Sequence, residues 1–404
     1  MPGFSGEQSS FTRFWLGEAA SVLGHQMLVV AVAWQTYELT DSALSLGLIG
    51  LAQFLPQFLF TLVGGHAADR YDRRRIALVC QVVQLALAAI LAAASFAGSL
   101  TTSVIYATSF GFGVALAFQS PSVRSLLPML VERTELPKRI AWSGATRKFA
   151  VIAGPGVGGV IYLLGPTHVY ATCVALFAIA GVLLISVRLP GTPRSHAPVT
   201  LQTVLGGITY IRGNRVVLGA ISLDLFAMLL GGTTALLPIY ARDILQTGPS
   251  GLGVLRAAPA VGAIAVSLIL ARVPLTRHVG RTMFVCIAVF GVATLVFGLS
   301  RSLPLSLGAL VVLGAADMIS VVIRSSLIQL ETPDETRGRV SAVNSLFTST
   351  SNQLGQFESG VVAALFGTVP AVVIGGVGTI VVAALWIRLF PELYQRDVLT
   401  VRTS

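Results

Sequence analysis

Long apolar runs separated by short polar stretches dominate the pattern of this 404-residue chain. A helix needs about 20 mostly apolar residues to cross a bilayer. We predict twelve membrane helices, numbered as segments 1 to 12, at roughly 13–37, 43–65, 75–98, 101–120, 140–164, 167–188, 215–240, 251–271, 281–299, 303–323, 340–365 and 368–388. Because the runs do not alternate polar and apolar residues as barrel strands do, the predicted fold class is an all-α membrane protein.

Composition agrees with that pattern. The chain is 54% hydrophobic and 11% charged, whereas soluble proteins carry about 25% charge. Its three cysteines, Cys80, Cys173 and Cys286, each lie alone in an apolar run, so neither a disulfide framework nor a metal site is expected.

The net charge of +10 is distributed in a way that indicates the orientation of the chain in the membrane rather than nucleic-acid binding. Lysines and arginines concentrate at alternate loops, while the opposite loops hold only Arg242 and Arg301. This is the positive-inside distribution. It predicts that both termini lie in the cytoplasm, and it favours the lipid bilayer as the partner of these charges, with no nucleic acid.

A weak internal repeat divides the chain. Arg75–Cys80 resembles Arg281–Cys286, and Arg124–Leu127 resembles Arg324–Leu327; repeated halves are common in secondary transporters. We predict an N-terminal six-helix half at 1–189, a cytoplasmic linker with an amphipathic helix at 190–214, and a C-terminal six-helix half at 215–404. The alternative for the linker helix is a plain loop extension.

The loop between segments 2 and 3 is rich in glycine and charge. Gly64 and Gly65 would let two helices approach closely. The pattern Gly-x-x-x-Asp-Arg-x-x-Arg-Arg resembles the loop signature of the major facilitator superfamily of transporters, which implies two six-helix halves that rock around a central cavity. Its residues here are Gly65, Asp69, Arg70, Arg73 and Arg74.

In that superfamily the aspartate helps to latch the halves together on the cytoplasmic side. The resemblance implies that Asp69 acts with the start of segment 11, near Arg339, and with Arg124. The alternative is that the arginines only fix topology. Asp72 stands where the family usually has glycine, and the equivalent loop at 277–281 lacks the aspartate.

Segment 5 carries a second motif, Gly154-Pro155-Gly156-Val157-Gly158-Gly159. Proline removes a backbone hydrogen bond and the glycines leave a smooth surface. The run resembles the Gly-Pro-x-x-Gly-Gly motif of proton-coupled exporters, with Ala150 where that family has an upstream glycine. The alternative is small-residue packing without a role in transport.

Ionisable residues within apolar segments are functional hypotheses because the bilayer makes them costly. Asp224 in segment 7 lies roughly 14 Å deep and is our preferred proton-coupling residue; the alternative is a buried structural pair. Further proton-coupling candidates are Glu18, Asp317 and His25. Histidine titrates near neutral pH, although His25 could instead be a packed polar residue beside Gln26.

Several of these charges are expected to pair, in structural or gating roles rather than in direct substrate contact. The predicted pairs are Glu18 with Arg147 and Lys148, Arg256 with Glu358, and Asp317 with Arg324. Four further polar residues are candidates for lining a cavity: Gln35, Gln53, Gln57 and Asn352.

A finer resemblance points to the enterobactin-exporter branch of the drug:proton antiporters. It is carried by Leu223–Ala227, Ala235–Ile244, Leu255–Ala260 and Asn352–Gly360. It implies a secondary transporter that exports an amphipathic small molecule, siderophore-like or drug-like, by proton antiport. The alternatives are a proton-coupled uptake symporter and a non-transporting membrane sensor.

No enzyme site is expected. The chain has no Gly-x-x-x-x-Gly-Lys-Ser/Thr phosphate loop, and its five histidines are scattered. We therefore expect no cofactor and no metal. The expected partners are a small-molecule substrate, protons and the bilayer, and the chain is expected to act as a monomer.

Overall fold

The protein, in a computed structural model, is described over residues 4–398 apart from 133, 188–200, 274 and 276. For residues 4–9, 62, 69, 137, 201–205 and 334 only the backbone is described. The described part of the chain forms helices and no strand, which confirms the predicted all-α class. The helices are α1 Phe4–Thr40, α2 Ala43–Arg70, α3 Arg73–Phe96, α4 Thr102–Leu126, α5 Leu136–Tyr162, α6 Pro166–Ile185, α7 Leu201–Gly213, α8 Arg215–Leu230, α9 Leu237–Ile239, α10 Gly248–Arg272, α11 Val279–Leu299, α12 Leu303–Glu331, α13 Asp334–Phe366, α14 Thr368–Leu389 and α15 Pro391–Tyr394.

Ten helical stretches of the described chain are long and apolar enough to cross a membrane. They overlap ten of the twelve predicted segments. The other two, segments 5 and 11, correspond to helices α5 and α13. These helices have 27 and 33 residues, but charged residues such as Arg147, Lys148 and Arg339 make them more polar. Their membrane crossing remains a prediction.

The described residues group into two compact units. Unit 1 consists of the described residues within Met1–Asp41, Ala52–Val199 and Gly248–Val254. Within it α1 packs against α5 and α6, and α3 packs against α4 and α6. Tyr170 and Phe177 of α6 are fully buried in this unit.

Unit 2 consists of the described residues within Ser42–Leu51, Thr200–Thr247 and Leu255–Ser404. Within it α11 packs against α12 and α14, while α13 packs against α7 and α8. Leu223 and Trp386 belong to its main apolar cluster.

Helix α7 occupies part of the predicted linker. Its apolar side is not turned outward, because Ile208 and Ile211 pack in a cluster with Ile328 of α12 and Val340 of α13. The Tyr210 hydroxyl also donates a hydrogen bond to the Glu331 carbonyl. The apolar face of this amphipathic helix is therefore buried by contacts within unit 2. The predicted linker residues 190–200 lie outside the described residues.

Segment 7, predicted as one helix, is interrupted. Helix α8 ends at Leu230 and is followed by a 3-10 turn at Thr233–Leu236, by α9 and by a π-helical turn at Tyr240–Ile244. Gly231 and Gly232 have little helix preference, and Pro238 lacks the N–H that a regular helix would use. The interruption thus has a local cause in the sequence.

The end of the chain caps the start of α11. The His278 N–H donates to the Asp397 carboxylate at 3.0 Å, and the Val279 and Gly280 N–H groups donate to the Asp397 and Arg396 carbonyls at 3.2 and 2.8 Å. Arg396 also pairs with Glu331 of α12. The loop at 277–281, which lacks its own aspartate, thus receives a carboxylate from far along the chain.

We expect Asp397→Ala to lower the melting temperature in detergent, because it removes the acceptor for an N–H group at the start of α11. Loss of a cap costs about 1 kcal/mol, or about 2–4 °C for a domain of 150–250 residues. Thermal unfolding followed by size-exclusion chromatography measures the shift, with Glu132→Ala, at another exposed position, as the control. Equal melting temperatures for the two variants would contradict the capping role.

Candidate functional site

The charged loop between α2 and α3 is held by its own aspartate and two arginines. The Asp72 carboxylate accepts from the N–H groups of Arg74 and Arg75 and so caps α3. Arg73 is buried, and its Nε donates to the Ala68 carbonyl at 3.0 Å. Asp72, where the family usually has glycine, therefore has a clear structural role.

The next arginine ties this loop to α6. The Arg74 guanidinium donates to the carbonyls of Leu184, at 3.2 Å, and Ile185. Cations are favoured at a helix C-terminus, where the carbonyl dipoles point. Arg70 and Arg124 are exposed. The side chain of Asp69 lies outside the described residues, so its latch contact stays a prediction.

The two glycines of the loop signature differ in their surroundings. A Cβ on Gly64 would collide with the Ala117 carbonyl of α4, whereas a Cβ on Gly65 would meet nothing within 4 Å. The close approach of α2 to α4 therefore depends on Gly64. Gly65, the residue within the signature, plays no part in that approach.

The glycines of α5 allow close contact with two other helices, α1 and α10. A Cβ on Gly154 would lie 2.5 Å from Gln26 Cβ, and one on Gly158 would lie 3.0 Å from Met27 Cα, both on α1. A Cβ on Gly159 would lie 2.5 Å from the Pro249 carbonyl at the start of α10. In addition, a Cβ on Gly253 would clash with the Pro155 carbonyl. Small residues thus let α5 lie directly against two neighbours.

A cavity of about 230 Å³ opens inside unit 1. Helices α1, α3, α4, α5 and α6 all contribute to its lining. Its charged or titratable lining residues are Glu18, His25 and Arg147, and its apolar walls include Phe14 and Leu116. The mixture of apolar walls with a few polar groups is typical of small-molecule sites.

Three glutamines form a hydrogen-bonded cluster on this cavity. Gln84 Nε2 donates to Gln119 Oε1, Gln119 Nε2 donates to Gln81 Oε1 at 3.1 Å, and Gln81 Nε2 donates to the Phe177 carbonyl at 3.3 Å. Ser21 Oγ donates to Gln81 Oε1 at 3.1 Å. Gln81 and Gln84 are buried, at 3% and 1% exposure. The cluster links α1, α3, α4 and α6.

Glu18 lies near Arg147, one of its two predicted ion-pair partners. The nearest guanidinium nitrogen is 4.0 Å from the Glu18 carboxylate, which also accepts a 2.7 Å hydrogen bond from Ser143 Oγ. Lys148 is exposed and makes no ion pair among the described residues. His25 lines the same cavity, with its ring centroid 6.1 Å from that of Phe112.

A buried ion pair joins α8 to α12 inside unit 2. The Arg324 guanidinium contacts the Asp224 carboxylate, and the two residues are only 3% and 5% exposed. Leu223 and Ile323, their neighbours in sequence, are fully buried in the apolar core. A lone buried charge would cost several kcal/mol, so each of these two groups depends on the other.

Two of the predicted pairs do not form. Arg324 contacts Asp224 rather than Asp317, because seven residues along a helix separate side chains by about 10 Å while helix packing brings Asp224 within reach. No ion pair within 4 Å joins Arg256 to Glu358 in the described chain; α13 packs on α7, α8 and α14. Glu358 accepts a 3.5 Å hydrogen bond from Ser359 instead.

A family model described as transmembrane secretion effector, MFS_3, matches residues 5–401. The chain belongs to this family. Membership in the major facilitator superfamily, predicted from the loop signature, is thereby confirmed. The families and folds that match are those of membrane transporters rather than enzymes.

Named relatives of this MFS_3 member are exporters. Macrolide efflux protein A of Streptococcus pyogenes is 25% identical over 283 residues, 67% of this chain and 68% of that protein. Multidrug efflux pump Tap of Mycobacterium tuberculosis is 27% identical over 358 residues, 83% of each chain. Enterobactin exporter EntS of Citrobacter koseri is 24% identical over 399 residues, covering 95% and 92%. The predicted similarity to enterobactin and drug exporters is confirmed.

Solved structures agree on the fold. The nucleoside transporter NupG superposes with a TM-score of 0.77 over 94% of this chain and 100% of that one, at 12% sequence identity. At that identity the likeness supports the major facilitator fold alone.

The sequence indicated some of the cavity residues and missed others. Glu18, His25 and Arg147 were singled out as intramembrane charges, but the glutamine cluster was not. A signal was present, since Gln81 and Gln84 lie one turn apart on one face of an otherwise apolar segment. Gln35, Gln53 and Gln57, which we expected to line a cavity, are not among its lining residues, and neither is Asn352.

The glycine pair in the loop gives a matched test. Gly64→Ala should lower the melting temperature, because overpacking against the Ala117 carbonyl costs about 1–3 kcal/mol. Gly65→Ala should leave it unchanged or raise it, since alanine favours a helix by about 1 kcal/mol. Thermal unfolding in detergent compares the two. A Gly64 variant as stable as the Gly65 variant would argue against the close α2–α4 approach.

The buried pair gives a second test. Asp224→Asn or Arg324→Gln alone should destabilise unit 2 by about 3–5 kcal/mol, because each leaves a buried charge without its partner. The double variant should recover most of that loss. Arg75→Gln is the control, since its ion pair with Asp72 is exposed on both sides and exposed ion pairs contribute about 0–1 kcal/mol. Melting temperatures in detergent measure all four, and a double variant no more stable than the single ones would contradict the pairing.

Proposed function

We propose that this chain is a secondary transporter that exports an amphipathic small molecule, siderophore-like or drug-like, across a bacterial inner membrane in exchange for protons. Membership in the MFS_3 family supports transport, and the efflux names of three relatives support the outward direction. The Gly-Pro-x-x-Gly-Gly face of α5, packed against α1 and α10, also favours export.

The observation that carries proton coupling is the buried Asp224–Arg324 pair. It lies between two stretches that are long and apolar enough to cross a membrane, Arg215–Ile244 and Leu303–Glu331. A carboxylate in such a place is accessible to a proton only if the surroundings change. A pair of this kind can therefore respond both to proton binding and to conformation.

The proposed coupling follows from charge balance. When Asp224 is ionised, its carboxylate neutralises Arg324 and stabilises the packing of α8 against α12. When Asp224 binds a proton, Arg324 loses its counter-charge and this arrangement becomes less favourable by several kcal/mol. A proton thus shifts the balance between two conformations, which is the requirement for linked transport.

The orientation and the assembly state belong to the same proposal. Both termini would lie in the cytoplasm, where the arginine-rich loop between α2 and α3 would also lie. The transporter would act as a monomer in the bilayer. Glu18, His25 and Asp317 remain further candidates for proton binding, and Asp69 with Arg124 and the start of α13 remains the candidate latch.

The test uses purified protein in proteoliposomes, with erythromycin, ethidium and enterobactin as probes. Two assays are compared for each probe: accumulation driven by an imposed pH gradient, and exchange between equal concentrations on both sides. We expect Asp224→Asn to lose gradient-driven accumulation, down to the level of empty liposomes, and to retain exchange. Exchange shows that the variant still folds and binds.

The double variant Asp224→Asn/Arg324→Gln separates coupling from stability. It should regain thermal stability without regaining gradient-driven accumulation, since no titratable carboxylate is restored. Full accumulation by either variant would refute Asp224 as the coupling residue. Accumulation of a probe only with the gradient reversed would favour the uptake symporter.

A further inference from the structure

The glutamine cluster in unit 1 has more hydrogen-bonding capacity than the protein uses. Within the described residues, Gln81, Gln84 and Gln119 each donate one amide N–H, in the three bonds given above. An amide nitrogen carries two such donors. Three N–H groups and the Gln84 amide oxygen are therefore left without a partner in the described chain.

The unpartnered Gln84 oxygen is not among the buried polar atoms that lack a partner in the described chain, so it is accessible from the cavity that Gln84 lines. A ligand or ordered water in the cavity can supply the missing bonds. All three glutamines line the cavity of about 230 Å³, so there is room beside them for a ligand or a water molecule. Their mutual hydrogen bonds also hold the amide groups in place before a ligand arrives.

The cavity's charges do not favour an ion. Glu18 and Arg147 lie 4.0 Å apart and offset each other, and His25 is the remaining titratable lining residue. The unused capacity of the cluster in the described chain comprises three N–H donors, both lone pairs of the Gln84 oxygen and one lone pair of the Gln119 oxygen. It suits neutral oxygen groups that accept or donate, such as carbonyl, ether and hydroxyl groups. Leu116, Val123 and Leu184 supply apolar surface close to the cluster.

We propose that the cavity end formed by Gln81, Gln84 and Gln119 is a substrate subsite for an uncharged, oxygen-rich group on an apolar framework. The three amides favour neutral hydrogen-bonding groups, and the apolar walls hold the remainder of the molecule. The subsite lies within unit 1 and reaches α3 and α6. This inference names the substrate class and so rests on the proposed export function.

Equilibrium dialysis of the purified full-length protein in detergent tests the subsite. The probes are radiolabelled chloramphenicol, which is neutral and carries amide, hydroxyl and nitro oxygens, and radiolabelled tetraethylammonium, a permanent cation without hydrogen-bond donors. We expect saturable binding of chloramphenicol and weaker binding of tetraethylammonium. Gln119→Leu should raise the chloramphenicol Kd about three- to tenfold, as the loss of one or two hydrogen bonds implies.

Two further variants keep the test decisive. Gln119→Glu places a carboxylate in the cluster, so it should weaken chloramphenicol binding and strengthen tetraethylammonium binding. Gln57→Leu makes the same change as Gln119→Leu at a glutamine that does not line the cavity, and it should leave both Kd values unchanged. Reversed selectivity in Gln119→Glu cannot arise from misfolding.

The proposal is overturned if the wild type binds no chloramphenicol saturably, if tetraethylammonium binds more tightly, or if Gln119→Leu behaves like Gln57→Leu. Binding in detergent involves no proton gradient. Intact binding with no gradient-driven transport would therefore refute the proposed antiport while the subsite stands. Transport with unaltered binding in the Gln119 variants would refute only the subsite.

Discussion

The lack of water in the apolar interior determines how the charged and amide side chains of this protein are arranged. Any charge or amide buried there must find a partner within the protein, because an unpaired group costs several kcal/mol. Arg324 and Asp224 neutralise each other's charge across two helices, although the Arg324 Nε has no hydrogen-bond partner in the described chain. Glu18 meets the requirement with Ser143 and Arg147. The glutamine cluster instead lines a cavity, which makes it the most informative polar group in unit 1.

Close helix packing is the second condition for these contacts. Gly154 and Gly158 let α5 lie against α1, and Glu18, Arg147 and Ser143 on the same two helices are then within reach of one another. Glycine is used here for its lack of a side chain rather than for an unusual backbone conformation. A motif that resembles an exporter signature thus has a local packing role as well, and the two interpretations are compatible.

The first N–H groups of α3 and of α11 find their hydrogen-bond acceptors in different parts of the chain. Asp72 caps α3 from within its own loop, whereas the corresponding start of α11 takes its acceptors from Arg396 and Asp397 near the end of the chain. Free N–H groups at a helix start must be satisfied whatever the local sequence is. The loss of the aspartate from the loop at 277–281 is therefore offset by a distant segment of the same unit.

The sequence by itself determined the helical class, the family and which charged residues lie within apolar segments, because hydropathy and short motifs are local properties. It did not determine which charges meet. Asp317 is near Arg324 along the chain, but Asp224, about 100 residues away, is the partner that packing supplies. Likewise Gln119 joins Gln81 and Gln84 only because α3 packs against α4. Pairing across helices depends on rotation and register, and these are decided by the tertiary structure.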